Sequence, residues 1–443
     1  MAMRTTYHHQ HDDRHQSMRQ FLVLCRMQPG VGWVLLVLMV YEAASQEQEN
    51  CPALYRRYSA KHTFCAVPLK SCHVLDIGVA DRDKEIIIDM HNMLRSRIAR
   101  AEGGYDMPAA ADMMQIEWND ELADVAQKLA SLCSVKTDCA DCRQVENFAV
   151  GQNICNYKVR SKAPPAIYWR STINFWYEGI KQFPVDFVEQ YAYKTLYGTF
   201  TQLAWASTWQ VGCGYALFTK GSWYVQSYVC NYGPAGNYIG SRMYKPGTAC
   251  TSCPPGTACI NKTRQLDAAV YKGLCKSSSP DGPQVRLPPE AYSFCNFQNA
   301  SSKDCIVQEQ PYGAFQTRRI LGGGYLTATA SGGESASVTF QRPFVVPSEE
   351  SFPEASCLRF RFRKGPHGAG TGGQSTLRIR LDVQDSHVVK TTDITRNYPH
   401  WATYSISITK PISIQLTLIL QVKPKGPPHY LDVTDVLLTK GYC

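Results

Sequence analysis

Val211-Gly212-Cys213-Gly214-Tyr215-Ala216-Leu217-Phe218-Thr219-Lys220-Gly221-Ser222-Trp223-Tyr224-Val225-Gln226-Ser227-Tyr228-Val229-Cys230 is the stretch that decides the fold. Val211 to Phe218 and Trp223 to Cys230 are apolar, aromatic and β-branched, and Thr219-Lys220-Gly221-Ser222 between them is turn chemistry. The stretch therefore reads as a β-hairpin that folds Cys213 back toward Cys230. Upstream the period changes from two to about 3.6. Ile87, His91, Leu94 and Ile98 form one stripe of a helix expected from about Asp83 to Arg100. A second helix is expected after the capping residue Asn119, with Asp120 and Glu121 in its positive first turn and Leu122, Val125, Ala126 and Leu129 on one face. Helices and a hairpin together predict an α+β domain.

The chain has 443 residues, more than one core normally organises, so two or three modules are expected. With 44% apolar and 11% aromatic residues it is neither disordered nor collagen-like. Its net charge of +9 is spread thinly without a basic run, which excludes a nucleic-acid partner. Eighteen cysteines imply an oxidising compartment or metal clusters. The apolar run Trp33 to Tyr41, followed by Glu42-Ala43-Ala44-Ser45, is too short to span a bilayer and reads as a secretory signal cleaved near Ser45. His8, His9, His11 and His15 lie upstream and would leave with it. No later segment reads as a membrane span, because Ile412 to Val422 is interrupted by Ser413, Gln415 and Thr417 and alternates like a strand. The expected organisation is an upstream segment and signal (1–45), an α+β domain with a cysteine-bearing extension (46–247), a Cys-, Pro- and Gly-rich hinge (248–290) and a strand-rich region (291–443).

Five stretches of the first domain carry a family resemblance: Asp89-Met90-His91-Asn92-Met93-Leu94-Arg95, Glu117-Trp118-Asn119-Asp120-Glu121-Leu122-Ala123, Val150-Gly151-Gln152-Asn153-Ile154, Phe200-Thr201-Gln202-Leu203-Ala204-Trp205 and Cys230-Asn231-Tyr232-Gly233-Pro234-Ala235-Gly236-Asn237-Tyr238. In order and spacing they resemble the CAP superfamily of cysteine-rich secretory, venom-allergen and pathogenesis-related proteins. The resemblance implies an α-β-α sandwich. The last 150 residues resemble a second family, the MAM domain, through Phe294-Cys295-Asn296-Phe297, Cys305, Cys357-Leu358-Arg359-Phe360, Trp401 and the closing Cys443. That resemblance implies an all-β jelly roll used in adhesion, with Cys295 bonded to Cys305 and Cys357 to Cys443. Departures are the basic loop Arg361 to His367 and missing acidic residues near the opening cysteines.

Cys250, Cys253, Cys259 and Cys275, spaced C-x2-C-x5-C-x15-C, are expected as two disulfides, with a zinc site as the alternative. Once Cys25 leaves with the signal, the first domain holds an odd number of cysteines. Cys139, Cys142 and Cys155 are the candidates for an unpaired thiol, either buried or linking a dimer. Asn261 and Asn299 head glycosylation sequons.

No hydrolase or phosphate-loop motif is present. The CAP resemblance implies a cleft that carries two His and two Glu in many members. Aligned on the motifs, it points to His91, Gln152, Glu178 (one position early, with Gly179 in register) and Thr199, so one of the four is kept. One imidazole with an amide and a hydroxyl cannot supply three or four zinc ligands. The expectation is no cofactor and no enzymatic activity, His91 structural, and Gln152 and Thr199 hydrogen-bonded to it. Trp169, Phe175, Trp176, Tyr177 and Phe183 crowd a short stretch without clear period. The resemblance implies an apolar ligand site there, and domain core is the plainer reading. The sequence thus predicts a secreted, non-enzymatic binding protein whose partner is an extracellular protein or an apolar small molecule; the alternatives are an adhesion or self-association factor working through the MAM-like domain and, behind it, a residual metal-dependent hydrolase.

Overall fold

The computed structural model describes residues 51–443 except 69–71, 161–165, 261–270, 285–286, 299–304, 321–322, 342–343, 346–354, 369–373, 385–387 and 410–412. The signal segment, Asn261 and Asn299 lie outside the described residues. The expected hairpin consists of β4 (Gln210–Lys220) and β5 (Trp223–Gly233), after β1 (His73–Ile77), β2 (Glu117–Trp118) and β3 (Gly151–Val159) in chain order. Lys220 pairs with Trp223, so the turn is two residues, tighter than the four the sequence suggested. Gly221 makes this tightness feasible, since its φ of 60° is cheap only for glycine. Cys213 sits opposite Cys230 and is bonded to it. The sheet runs β1-β4-β5-β3, antiparallel, with the short β2 parallel to β4.

Both faces of this sheet are covered. Among the described residues five α-helices accompany it: α1 (Ala53–Tyr58), α2 (Asp81–Ala99), α3 (Asp120–Ser131), α4 (Trp169–Tyr177) and α5 (Gly198–Leu203). On one face α3 places Ala126, Leu129 and Ala130 against Ala216, Phe218, Val225 and Val229. Asn119 caps it, its Oδ1 accepting from the Leu122 N–H at 2.8 Å. The helix lies so close that a Cβ on Gly214 would stand 2.3 Å from the backbone of Gln127. On the other face, Ile87, Leu94 and Ile98 of α2 share one core with Trp176 of α4, Phe200 of α5 and Val211, Tyr215 and Tyr228 of the hairpin. Each such fully buried side chain contributes about 1.5–3 kcal/mol. Alternate residues of β4 and β5 thus feed two cores, which explains why the hairpin is apolar almost throughout.

Beyond the sheet, β6 (Thr257–Cys259) and β7 (Cys275–Ser277) form a small ribbon stapled by Cys250–Cys259 and Cys253–Cys275. The Cys275 N–H donates to Met113 O at 2.8 Å, which ties the ribbon to the first module. The remainder is all-β. One sheet contains β8 (Ala291–Cys295), β10 (Phe315–Ile320), β11 (Gly323–Ala330), β14 (Ala355–Pro366), β17 (Tyr398–Thr409) and β19 (His429–Lys440). The other contains β9 (Val307–Gln310), β12 (Ser335–Phe340), β13 (Phe344–Val345), β15 (Ser375–Gln384), β16 (Val388–Ile394) and β18 (Ser413–Val422). Leu358, Phe360, Leu431 and Val433 of the first sheet meet Leu377, Ile379, Leu416 and Leu418 of the second in a common core. Disulfides join Cys295 to Cys305 and Cys357 to Cys443. An α-β-α layer, a stapled ribbon and an all-β sandwich make up the described residues, in the fold class the sequence predicted.

Candidate functional site

His91, Asn92 and Arg95 of α2 are fully buried and work on the framework. The Asn92 amide clasps the backbone of Ile116, donating to its O at 2.8 Å and accepting from its N–H at 2.7 Å. Arg95 spends its donors on carbonyl oxygens of Met114, Leu203, Trp205, Ala206 and Thr208, at 2.8 to 3.1 Å. Burial lowers its pKa to about 9, and these oxygens still keep it a cation at neutral pH. His91 Nδ1 bonds to Ile87 O at 2.7 Å and Nε2 to the Tyr232 hydroxyl at 2.9 Å. Burial lowers its pKa to about 4, so the ring is neutral at pH 7, with Nδ1 the donor and Nε2 the acceptor. This corrects the sequence reading in two ways: His91 does not line the cleft, and its partners are not Gln152 and Thr199.

The cleft lies elsewhere, between the start of β3, α5 and the loop 235–238, with a volume of about 530 Å³. Thr199 begins its wall on α5, where its hydroxyl donates to Trp176 O at 3.2 Å. Gln152 on β3 donates from Nε2 to Asn231 Oδ1 at 3.0 Å, and its buried Oε1 has no hydrogen-bond partner among the described residues. Asn237 closes the rim by donating to Gly198 O at 2.9 Å and accepting from Thr201 Oγ1 at 2.7 Å. Thr137, Tyr193 and Tyr238, none of them singled out from sequence as site residues, complete the lining. The quoted Gly236-Asn237-Tyr238 stretch held the signal for the rim. Thr137 gave none.

Glu178 is not part of this cleft, a second correction. Its carboxylate pairs with Lys181 on the surface. Gly179 beside it has no room for a side chain, since a Cβ there would stand 3.0 Å from the backbone Cα of Tyr197. Among the described residues the lining contains no His, Cys, Asp or Glu, and its one cation is Arg143. Arg143 is held by Asp138 at 2.6 Å, a largely buried pair. Amides and hydroxyls are poor zinc ligands, so the donor set does not fit a zinc ion, and no carboxylate lies here to act as a base.

The aromatic cluster is mostly core. Trp169, Trp176, Tyr177 and Phe183 are buried, while Phe175 is 61% exposed. Its weak periodicity has a plain cause: α4 ends at Tyr177 and two short 3-10 turns, Glu178–Gln182 and Val185–Val188, continue the chain.

Among the described cysteines Cys155 is the free one, buried on β3 in the main core, where burial pushes its thiol pKa up. Cys139 and Cys142 are bonded to each other, which removes them as candidates for the unpaired thiol. Cys51–Cys65 and Cys72–Cys133 staple the extension. The thiols of Cys250, Cys253 and Cys275 cluster, but each is consumed by a disulfide and offers no thiolate to a metal.

The basic run Arg361 to His367 has a structural use that sequence reading did not foresee. Arg363 on β14 is 1% exposed; its Nε donates to Asp432 of β19 at 2.6 Å and its Nη1 to the Tyr58 hydroxyl of α1 at 2.6 Å. Arg57 of α1 reaches Asp432 at 3.4 Å and lies 3.9 Å over the Tyr430 ring. Glu146 accepts from the Tyr325 hydroxyl. A charged and aromatic network thus fastens the sandwich to the first module. Beside it a depression of about 420 Å³ is lined from both modules, by Ala140, Gln144 and Tyr238 on one side and Arg361, His400 and Trp401 on the other.

Comparison with known proteins places this arrangement. The family model of the cysteine-rich secretory protein family, CAP, matches residues 88–232. A venom allergen 5 of Tityus serrulatus is 37% identical over 414 residues, which cover 92% of this chain and 97% of that protein. A CRISP/Allergen/PR-1 protein of Trittame loki is 35% identical over 416 residues, 92% of this chain and 99% of its own. Among solved structures, that of Na-ASP-1 aligns with 45% of this chain and 48% of its own at 26% identity and a TM-score of 0.36. Both relatives align far beyond the α-β-α module, so they share sequence with the sandwich too. On that identity and coverage, the chain belongs to the cysteine-rich secretory protein (CAP) family.

Proposed function

We propose that this CAP protein is a secreted, non-enzymatic binding protein that holds its ligand in the open cleft of the first module. One observation carries the reading: among the described residues the cleft is lined by amides, hydroxyls and tyrosines, and by no side chain that could act as a zinc ligand or a carboxylate base. Secretion is supported by eight disulfides and by the apolar run Trp33 to Tyr41. Incubated with peptide and ester substrates, with zinc added, the purified protein should show no turnover above the buffer rate. Turnover abolished by Gln152→Ala or Thr199→Ala would overturn the reading.

An apolar ligand is the second reading, favoured by the exposure of Ile167, Tyr168 and Phe175 around the start and outer face of α4. Sterol and fatty-acid binding that is lost in Phe175→Ala would support it. The MAM-like resemblance adds adhesion through the sandwich, which self-association of the intact protein in sedimentation would reveal.

A further inference from the structure

We propose that the cleft and the neighbouring depression form one groove that binds a neutral polyhydroxylated chain, an oligosaccharide, across both modules. The proposal rests on the reading of the cleft as a non-catalytic binding site and names its ligand class. Continuity comes first: Ala140, Gln144, Ala149 and Tyr238 line both the 530 Å³ cleft and the 420 Å³ depression. Each volume lies within the roughly 300–1,000 Å³ of small-molecule sites, and end to end they suit an elongated ligand.

Charge disfavours anionic ligands. Arg143 is paired with Asp138 at 2.6 Å and Arg361 with Asp435 at 3.0 Å, while Asp141 stands 3.1 Å from His400. Both guanidinium groups that line the groove therefore already face a carboxylate. A sulfated or phosphorylated chain would find no free cation among the described residues.

What remains is the chemistry that sugars use. Tyr193 and Tyr238 are about half exposed at successive points of the groove, and Trp401 follows on the sandwich side. Trp401 is held by the Arg363 guanidinium 4.6 Å from its ring centre. Flat rings of this kind match the C–H faces of pyranose rings, and their polar edges stay available for hydrogen bonds. The hydroxyls of Tyr193 and Tyr238 make no hydrogen bond within the described residues. Such hydroxyls can each donate to and accept from a sugar hydroxyl without charge. Glycoside hydrolysis needs two carboxyl groups flanking the bond, whereas among the described residues the groove contains only Asp141, so the chain would be held and not cut.

The test uses the intact secreted protein and neutral cello-, xylo-, manno-, galacto- and chito-oligosaccharides of about two to six units, screened on an array and followed by calorimetry. The expected result is binding of at least one series, tightening with length. It should weaken roughly three- to tenfold in Tyr193→Ala and in Tyr238→Ala, the scale of one aromatic contact. Trp401→Ala should act likewise, with its circular dichroism checked because the ring also packs on Arg363. Raising salt from about 0.05 to 0.5 M should change affinity less than about twofold, since no free charge is engaged. Tyr312→Ala, at a fully exposed position away from the groove, should change nothing. Binding to no neutral chain, binding only to sulfated chains with steep salt dependence, or binding indifferent to the Tyr variants would overturn the proposal. Release of shorter sugars would instead overturn the non-enzymatic reading, so the two failures are distinguishable.

Discussion

Replacing Arg363 tests whether the two modules are locked by a buried charge network. Arg363→Met keeps most of the side-chain volume and removes the guanidinium. Asp432, fully buried, is then left with Arg57 at 3.4 Å as its remaining cation, and the Tyr58 hydroxyl loses its donor at 2.6 Å. Removing one partner of a buried ion pair costs about 3–5 kcal/mol, because the other charge stays desolvated and unpaired. Arg57, itself largely buried, offsets part of that loss, so about 3 kcal/mol is expected here. Urea unfolding followed by tryptophan fluorescence would read it directly, since Trp401 packs on Arg363. The double variant Arg363→Met, Asp432→Leu should recover part of the loss, because the desolvated Asp432 carboxylate is gone while Arg57, largely buried, loses its carboxylate in turn. A single-variant loss below about 1 kcal/mol, the range of exposed surface pairs, would refute the reasoning.

Three further predictions follow from the first module. His91 has a folded pKa near 4, below its usual 6.5, so the unfolded chain binds the proton first; the stability this group contributes is complete above pH 6.5 and is lost as pH falls toward 4. That loss amounts to about 3 kcal/mol, and in His91→Gln urea midpoints between pH 7 and 4.5 should fall correspondingly less. Arg95→Met takes the side-chain donor from five backbone carbonyls in the core, of which Trp205 O and Ala206 O keep a backbone N–H, and should cost more than about 3 kcal/mol, seen as loss of secreted protein or a large drop in Tm. Cys155, the free cysteine among those described and buried, should leave the protein monomeric on non-reducing gels. Its thiol should react with maleimide only after denaturation, and a Cys155-linked dimer would contradict its burial.

The elements with a regular period were legible in the sequence. The Ile87, Leu94, Ile98 stripe, the Asn119 cap and the hairpin appear in the structure as α2 (Asp81–Ala99), α3 and β4–β5, with ends shifted by a few residues. The same stripe placed His91 on a buried face, and local periodicity proved a better guide to this residue than alignment to a cleft motif. Thr137 escaped notice because a lone hydroxyl on a loop has no period and no distinctive spacing, whereas the Asn237–Tyr238 rim lay in a stretch that the family resemblance had already marked. The role of Arg363 was unreadable for another reason. Its partners Tyr58 and Glu146 lie more than 200 residues away in the chain, and a charge made safe by distant partners looks locally like any exposed basic residue. Phe175, Trp176 and their neighbours gave a mixed pattern because a helix and two short turns share them.

The central claim is that the cleft of this CAP protein binds without metal or catalytic groups, and zinc titration of the intact protein by calorimetry tests it most directly. A lining of Thr137, Gln152, Thr199 and Asn237 predicts no saturable heat at micromolar zinc. Stoichiometric, sub-micromolar binding that disappears in Gln152→Ala or Thr199→Ala would contradict it.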